Sequence, residues 1–503
     1  MKSQKALLII LDGYGITKDA DDNAVTRSNS PYLKKLLKEN LSTIQASGKA
    51  VGLPENTVGN SEVGHFTIGC GQILDQALVR INKSIETKKF FEIKLLKDQI
   101  NKAKNAESNI HITCLLSDTG IHGQIKHLKA VCELLKQENI KNFYFHGVLD
   151  GRDVPQKSAE KYINQTLNLF KEEKIGTLAS LCGRFYAMDR DKNYERTKIF
   201  YDLITQAESI EITNQDQVLK RLYQEAENDY YAKAYKTSDF PSLKDSDLFI
   251  NMNYRTDRQE QITQALENQN FSEFKADVKP NLVTFGDYGS KKFNIFPTPE
   301  IKENLSSVLN KANYKQARIA ETEKFAHVTF FFNSQNKEKS QLEDHFLIPS
   351  SKVANYKDDP KMQASKITDK AIEILKSDYK LIVINYANPD LVGHSGDFKA
   401  TKIGIECIDK NLEKLIPKAL DENYTIIIIA DHGNAEDMKH EDGSQNPSHT
   451  TNPVPFIVLS NKNYQTKKVK DAGLKDIAPT ILNILNLKIP DSFDGTSLIE
   501  EIN

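Results

Sequence analysis

Short apolar runs of strand length alternate with charged stretches of helical period along almost the whole chain, and no other feature constrains the fold as strongly. The runs lie at 6–11, 111–116, 142–148, 177–181, 248–252, 381–385 and 425–430. Each is nearly continuous, as in parallel strands buried on both faces, where an alternating run would mean a sheet with one wet face. Between them, 28–39, 126–137, 158–171, 361–377 and 400–415 carry apolar residues three and four apart, the spacing of crossover helices. The pattern predicts an α/β fold with largely parallel sheets. At 503 residues the chain has room for two cores. Punctuation predicts two seams, one near Gly69 and Gly71 and one at Pro297 and Pro299, where a helix is expected to start in the segment FPTPE.

Composition enters mainly to exclude. The balance of 67 basic against 69 acidic residues argues against a nucleic-acid-binding coat. The longest apolar runs fall well short of the roughly 20 residues a membrane helix needs, and none has the pattern of a secretory signal. Five scattered cysteines without CxxC spacing indicate neither a disulfide framework nor a thiolate metal site, so a reducing cytoplasm is expected. Only ten of the basic residues are arginine, and seven of these fall between Arg152 and Arg258. A guanidinium fork matches a carboxylate or phosphate as a lysine cannot, so this central segment is a candidate oxyanion-binding region.

Ligands of open α/β sheets collect beyond the carboxyl ends of the strands. There the first run leads into Asp12, the 381–385 run into Asp390 and His394, and the 425–430 run into Asp431 and His432, with His449 on a later loop. Three carboxylates and three imidazoles suit a first-row divalent ion such as Mn²⁺ or Zn²⁺ better than Ca²⁺. Six ligands exceed what one catalytic ion uses, which points to two. Ser61, in GNSEVGH, stands at an expected helix start. It is either the N-cap of that helix or a nucleophile at its positive end. In the central segment DGRD, GRFYAMDRD and NYRTDR each follow a strand; Asp153 beside Arg152 can stay ionised as a general base.

These motifs, in this order, resemble the cofactor-independent (2,3-bisphosphoglycerate-independent) phosphoglycerate mutases of the alkaline phosphatase superfamily. The match runs from LDGYG through GLPENTVGNSEVGH, DGRDVP, GRFYAMDRD, ETEKFAHVTFFFN, NPDLVGH and ADHGN to HTTNPVPF. The resemblance implies a discontinuous phosphatase domain, 1–75 with 300–503, built on an alkaline-phosphatase-like, mostly parallel sheet flanked by helices. A second α/β domain, 76–299, is inserted in it to bind substrate and transfer the phosphoryl group. It implies two Mn²⁺ ions, with Zn²⁺ or Co²⁺ as substitutes: one on Asp390, His394 and His449, the other on Asp12, Ser61, Asp431 and His432. Lys324 would assist Ser61. His122, Arg152, Asp153, Arg184, Arg190, Arg255 and Arg258, together with Lys324, would bind phosphoglycerate.

The implied activity is interconversion of 3-phosphoglycerate and 2-phosphoglycerate in glycolysis and gluconeogenesis, through phosphoserine on Ser61 and with Asp153 as the base for return transfer. The implied protein is a cytoplasmic monomer with no nucleic-acid or membrane partner. Where family members read SDGGVHSH this chain has SDTGIHGQ, and KHEDGSQNPSHTT also departs from the usual loop. Two other readings are a related two-metal phosphomutase or phosphomonoesterase, and a non-catalytic binding protein on the same fold.

Overall fold

A computed structural model describes residues 4–207, 213, 215–288 and 293–502. The chain divides into two compact units, one built from the chain up to Asp75 and from Glu300 onward, the other from Gln76–Pro299. The strands of the large sheets are, in chain order, β1 (Lys5–Leu11), β2 (Ser42–Ile44), β3 (Ile110–Leu116), β4 (Tyr144–Leu149) and β5 (Thr177–Gly183). They continue as β6 (Tyr235–Lys236), β7 (Leu248–Asn251), β8 (Asn281–Thr284), β9 (Lys315–Glu321) and β10 (Glu343–Ile348). The last three are β11 (Tyr379–Tyr386), β12 (Tyr424–Ile429) and β13 (Val454–Leu459).

In the first unit seven strands form a sheet in the order β10-β9-β11-β1-β12-β13-β2. β10, β9, β11, β1 and β12 are mutually parallel; β13 runs antiparallel beside β12, and β2, antiparallel to β13, closes that edge. β1 sits at the centre with Ala6 to Leu11 wholly buried, and β12 is buried throughout. Helices Ala364–Ile374 and Phe398–Asp421 pack against one another over this sheet. In the second unit six strands run in the order β6-β5-β4-β3-β7-β8, parallel except for β6. Both units are thus α/β with helix-flanked, mostly parallel sheets, as the apolar runs require.

The expected helix in FPTPE does not form. Residues 297–304 are irregular, and the helix begins at Leu305, where Asn304 Oδ1 accepts from the Ser307 amide and Ser307 Oγ accepts from the Asn304 amide. That reciprocal cap sets the start more firmly than prolines, which fit a first turn but supply no acceptor for its free N–H groups. No helix among the described residues is long and apolar enough to cross a membrane. All five cysteines are unpaired.

Candidate functional site

Four adjacent parallel strands of the first unit end at one edge and deliver the charged groups. Asp12 follows β1, Asp390 lies in the helix Asn388–Gly393 after β11, Asp431 follows β12, and Lys324 lies in the helix Thr322–Ala326 after β9. Ser61 opens the helix Ser61–Cys70, but it is not the cap: Asn60 accepts from the Val63 amide at 2.9 Å. The serine hydroxyl is therefore free for another partner. Its Oγ lies 2.7 Å from Lys324 Nζ, 2.9 Å from His432 Nε2 and 3.3 Å from Asp12 Oδ1.

Lys324 is the hub of the site. Its Nζ also donates to Asp12 Oδ1 at 2.8 Å and to Asp390 Oδ2 at 2.6 Å. Burial works against its charge, yet Asp12, Asp390 and Asp431 together raise its pKa above the ordinary lysine value. The same crowding divides the carboxylates. Burial and the charge of Asp431 push Asp12 up, whereas Asp390 is held low against its burial by Lys324 and the imidazoles of His394 and His449. Asp431 is likewise held low against its burial, by His432, His65 and Lys324. Three buried carboxylates facing one ammonium leave negative charge uncompensated, which is costly in a dry site without further cations.

The hydrogen-bond pattern says where such cations fit. His394 Nδ1 lies 2.7 Å from the Pro447 carbonyl and His449 Nδ1 lies 2.8 Å from the Gly59 carbonyl, so each neutral ring carries its proton on Nδ1. Their Nε2 lone pairs then face one another at 3.0 Å and face Asp390 Oδ1 at 3.3 and 3.1 Å. Asp390 Oδ1 and Asp431 Oδ2 are both buried without a hydrogen-bond donor. Acceptors that converge without a proton between them are what a metal ion satisfies. Donor atoms of Asp390, His394 and His449, of Asp12, Asp390 and His432, and of Asp12, His65 and Asp431 each gather within 4.8 Å.

His65 is a member of these groups that sequence reasoning quoted but gave no role. Its Nδ1 lies 2.9 Å from the Ser61 carbonyl and 3.2 Å from Asp431 Oδ2. Asn385, also missed, donates to Asp12 Oδ2 at 2.7 Å and stands 3.1 Å from His65 Nε2. The signal for His65 was its place one helical turn after Ser61.

The second unit carries the guanidinium groups, again at strand ends. Arg184, buried after β5, donates to Asp150 Oδ1 at 2.5 Å and Asp153 Oδ2 at 2.6 Å, and its Nη2 lies 2.9 Å from His122 Nε2. The cation that touches Asp153 is thus Arg184, not the sequence neighbour Arg152, whose side chain is exposed. Asp150 orders the loop by accepting from the amides of Arg152 and Asp153 at 3.2 and 3.1 Å. Arg190 and Arg255 share Asp257, at 2.8 and 3.0 Å. Buried Arg258 is held below the usual guanidinium value by burial and then by the like charges of Arg184 and Arg190. His122 is pushed down to about 3 by burial, Arg184 and Arg255, and is neutral. Crowded cations of this kind are relieved by an anionic ligand.

Both departing loops make hydrogen bonds. In SDTGIHGQ, Thr119 Oγ1 lies 2.9 Å from Ser117 Oγ, and Gln124 Nε2 donates to the Asp118 carbonyl at 3.0 Å. The other unusual loop supplies Pro447, whose carbonyl orients His394.

Residues 4–489 match the family described as the Metalloenzyme superfamily. The 2,3-bisphosphoglycerate-independent phosphoglycerate mutase of Clostridium botulinum (strain Langeland / NCTC 10281 / Type F) is 41% identical over 514 residues, covering 99% of this chain and 100% of its own. The protein of that name from Clostridioides difficile (strain 630) is 40% identical over 513 residues and covers 100% of both chains. A crystal structure of Leishmania mexicana phosphoglycerate mutase at low cobalt concentration covers 100% of this chain and 98% of its own, with a TM-score of 0.68 at 27% identity. The chain belongs to the Metalloenzyme superfamily and, within it, to the family of 2,3-bisphosphoglycerate-independent phosphoglycerate mutases.

Proposed function

We propose that this protein interconverts 3-phosphoglycerate and 2-phosphoglycerate without 2,3-bisphosphoglycerate, as a step of glycolysis and gluconeogenesis in the cytoplasm, and acts as a monomer. The observation that carries the reading is Ser61 Oγ within 2.7 Å of a buried ammonium and 2.9 Å of an imidazole nitrogen, in a pocket whose carboxylates outnumber that ammonium. Two divalent cations, Mn²⁺ with Zn²⁺ or Co²⁺ as substitutes, would be held by Asp390, His394 and His449 and by Asp12, Ser61, Asp431 and His432, and supply Lewis-acid stabilisation of phosphoryl oxygens.

The chain's own groups do the rest. Ser61 gives up its hydroxyl proton and its Oγ bonds to phosphorus, while the ester bond to the glycerate 3-oxygen breaks and that oxygen takes a proton. Lys324, already donating to Ser61 Oγ, offsets charge on the transferring group. Arg152, Arg184, Arg190, Arg255, Arg258 and His122 hold the carboxylate and phosphate of the substrate. Asp153, held by Arg184, takes the proton of the 2-hydroxyl as that oxygen attacks phosphoserine, and Ser61 Oγ leaves and takes up a proton again. Water has to be kept away in between, or phosphoserine would hydrolyse.

An enolase-coupled assay with 3-phosphoglycerate, lacking 2,3-bisphosphoglycerate and run with and without chelator, tests this reading. Turnover that chelation removes and Mn²⁺ restores is expected. Release of inorganic phosphate without 2-phosphoglycerate would make the protein a phosphomonoesterase instead, and turnover of ribose 5-phosphate in its place would make it a different mutase.

The pH dependence follows from the ligand imidazoles. The Asp390 carboxylate, to which a protonated ring would donate, raises His394 above its ordinary value; burial of the His449 ring opposes its charge, but the same carboxylate outweighs burial. A cation must displace a proton from each ring, so competition begins at a higher pH than for a free imidazole near 6.5. Mn²⁺ affinity is expected to rise with pH up to about 7 and to be at least about tenfold weaker at pH 5. Calorimetric titration at four pH values checks this, and a flat affinity from pH 5 to 8 would refute it.

A further inference from the structure

We infer that Glu436 is a positioning residue that holds the metal-ligand loops in register; this rests on the metal reading above. Glu436 is 1% exposed and, among the described residues, forms no ion pair. Four hydrogen bonds hold its carboxyl group instead. Oε2 accepts from the amides of Gly15 at 3.0 Å and Asn434 at 2.8 Å. Oε1 accepts from Asn452 Nδ2 at 3.0 Å and from the Thr450 hydroxyl.

The four donors belong to three of the segments that carry ligands. Gly15 lies three residues after Asp12, Asn434 two after His432, and Thr450 directly after His449. The same segments are stitched by backbone bonds from Ala435 to the Gly13 carbonyl at 3.0 Å and from Thr450 to the Gly433 carbonyl at 3.1 Å. Gly15 and Gly433 are small where the carboxylate sits: a Cβ at either would fall on the Glu436 carboxyl group. The sequence thus leaves room for one side chain to reach three loops at once.

All four neighbours are donors, so the site needs four acceptor lone pairs. Glutamine keeps the shape but presents an NH₂ to two of those donors, losing their bonds and opposing like dipoles. Glu436 touches neither Ser61 nor a ligand side chain, so its influence runs through loop position, as for outer-shell groups whose loss costs about 10–100-fold in metal affinity.

The test is Mn²⁺ titration of chelator-stripped wild-type and Glu436→Gln protein by calorimetry, with visible absorption of the Co²⁺-loaded forms as a reporter of ligand geometry. Expected are a Mn²⁺ affinity at least about tenfold weaker in the variant, an altered Co²⁺ spectrum, and kcat that saturating Mn²⁺ largely recovers with KM for 3-phosphoglycerate little changed. Affinity within twofold of wild type together with an identical Co²⁺ spectrum would overturn the inference. Should Glu436→Gln not fold, Thr450→Val, which removes one donor, decides: about threefold weaker binding supports the role, and unchanged binding overturns it. Wild-type protein that takes up no divalent cation would instead sink the metal reading, and the inference with it.

Discussion

Ser61→Ala is expected to lower turnover of 3-phosphoglycerate by at least about four orders of magnitude, the scale on which removal of a nucleophile acts in other enzymes, while leaving the fold and most metal binding intact. The fold should survive because Ser61 does not cap its helix. Asn60 accepts from the Val63 amide, and the Ser61 hydroxyl contributes only side-chain bonds to Lys324, His432 and Asp12. Lys324 keeps two carboxylate acceptors when the hydroxyl is gone, so the stability change should be about 1 kcal/mol. Asp390, His394 and His449 do not touch Ser61 in their convergence, so one cation group is untouched. Two measurements separate chemistry from structure. Acid-quenched wild-type protein incubated with 3-phosphoglycerate should carry one added phosphoryl group on the peptide containing Ser61, and the alanine variant none. Residual turnover within tenfold of wild type would exclude a phosphoserine pathway.

What the sequence made legible followed how directly each residue's type reports its surroundings. Strands such as β1 and β12 announce themselves because burial on both faces demands unbroken aliphatic runs. β9 and β10 do not: Gln316, Arg318 and Glu343 look like surface residues, yet Arg318 is fully buried, donating to Gln316 Oε1 at 2.6 Å and approaching Glu343 Oε2 at 3.4 Å. Polarity hid the strands because the pairing that makes burial tolerable lies in neighbouring strands.

The site divides the same way. Aspartate and histidine at strand ends advertise a metal by type alone, which is why Asp12, Asp390 and Asp431 could be singled out from spacing. Lys324 has no such signature, being one lysine among 57, and came only with the resemblance. Asn385, His65, Asp150 and Glu436 act by orienting other groups, a property created when loops distant in sequence converge. The charge pattern of the central segment singled out Asp153 and the arginines but misassigned a partner. Adjacency suggested Arg152 for Asp153, whereas the strand order brings Arg184 there.

Lys324→Met should separate the two things this ammonium does. In metal-free protein Lys324, 4% exposed, is the countercharge for buried Asp12 and Asp390 and lies near Asp431. Methionine keeps the apolar stem but strands those carboxylates, and breaking a buried pair in this way costs about 3–5 kcal/mol. The chelator-treated variant is therefore expected to unfold well below wild type at neutral pH. The sign of the pH effect is fixed by Asp390. Lys324 holds its folded pKa below the unfolded value, so in wild type the stability this contributes is present above about pH 4 and lost as pH falls further. Without the ammonium the carboxylates titrate upward and take up protons, so the deficit of the variant should shrink as pH is lowered from 7.5 toward 5. Saturating Mn²⁺ should also raise the variant above its own metal-free stability, because bound cations replace the lost charge, by about 4 kcal/mol at a thousandfold excess over Kd. Turnover should not recover in parallel: with no ammonium beside Ser61 Oγ, a loss of about a hundredfold or more is expected even in the metal-loaded variant. Thermal unfolding in chelator and in Mn²⁺, at both pH values, reads the first role, and the enolase-coupled rate reads the second. A variant as stable as wild type in chelator would mean the carboxylates are neutralised by protons already, and a metal-loaded variant with wild-type turnover would remove Lys324 from phosphoryl transfer.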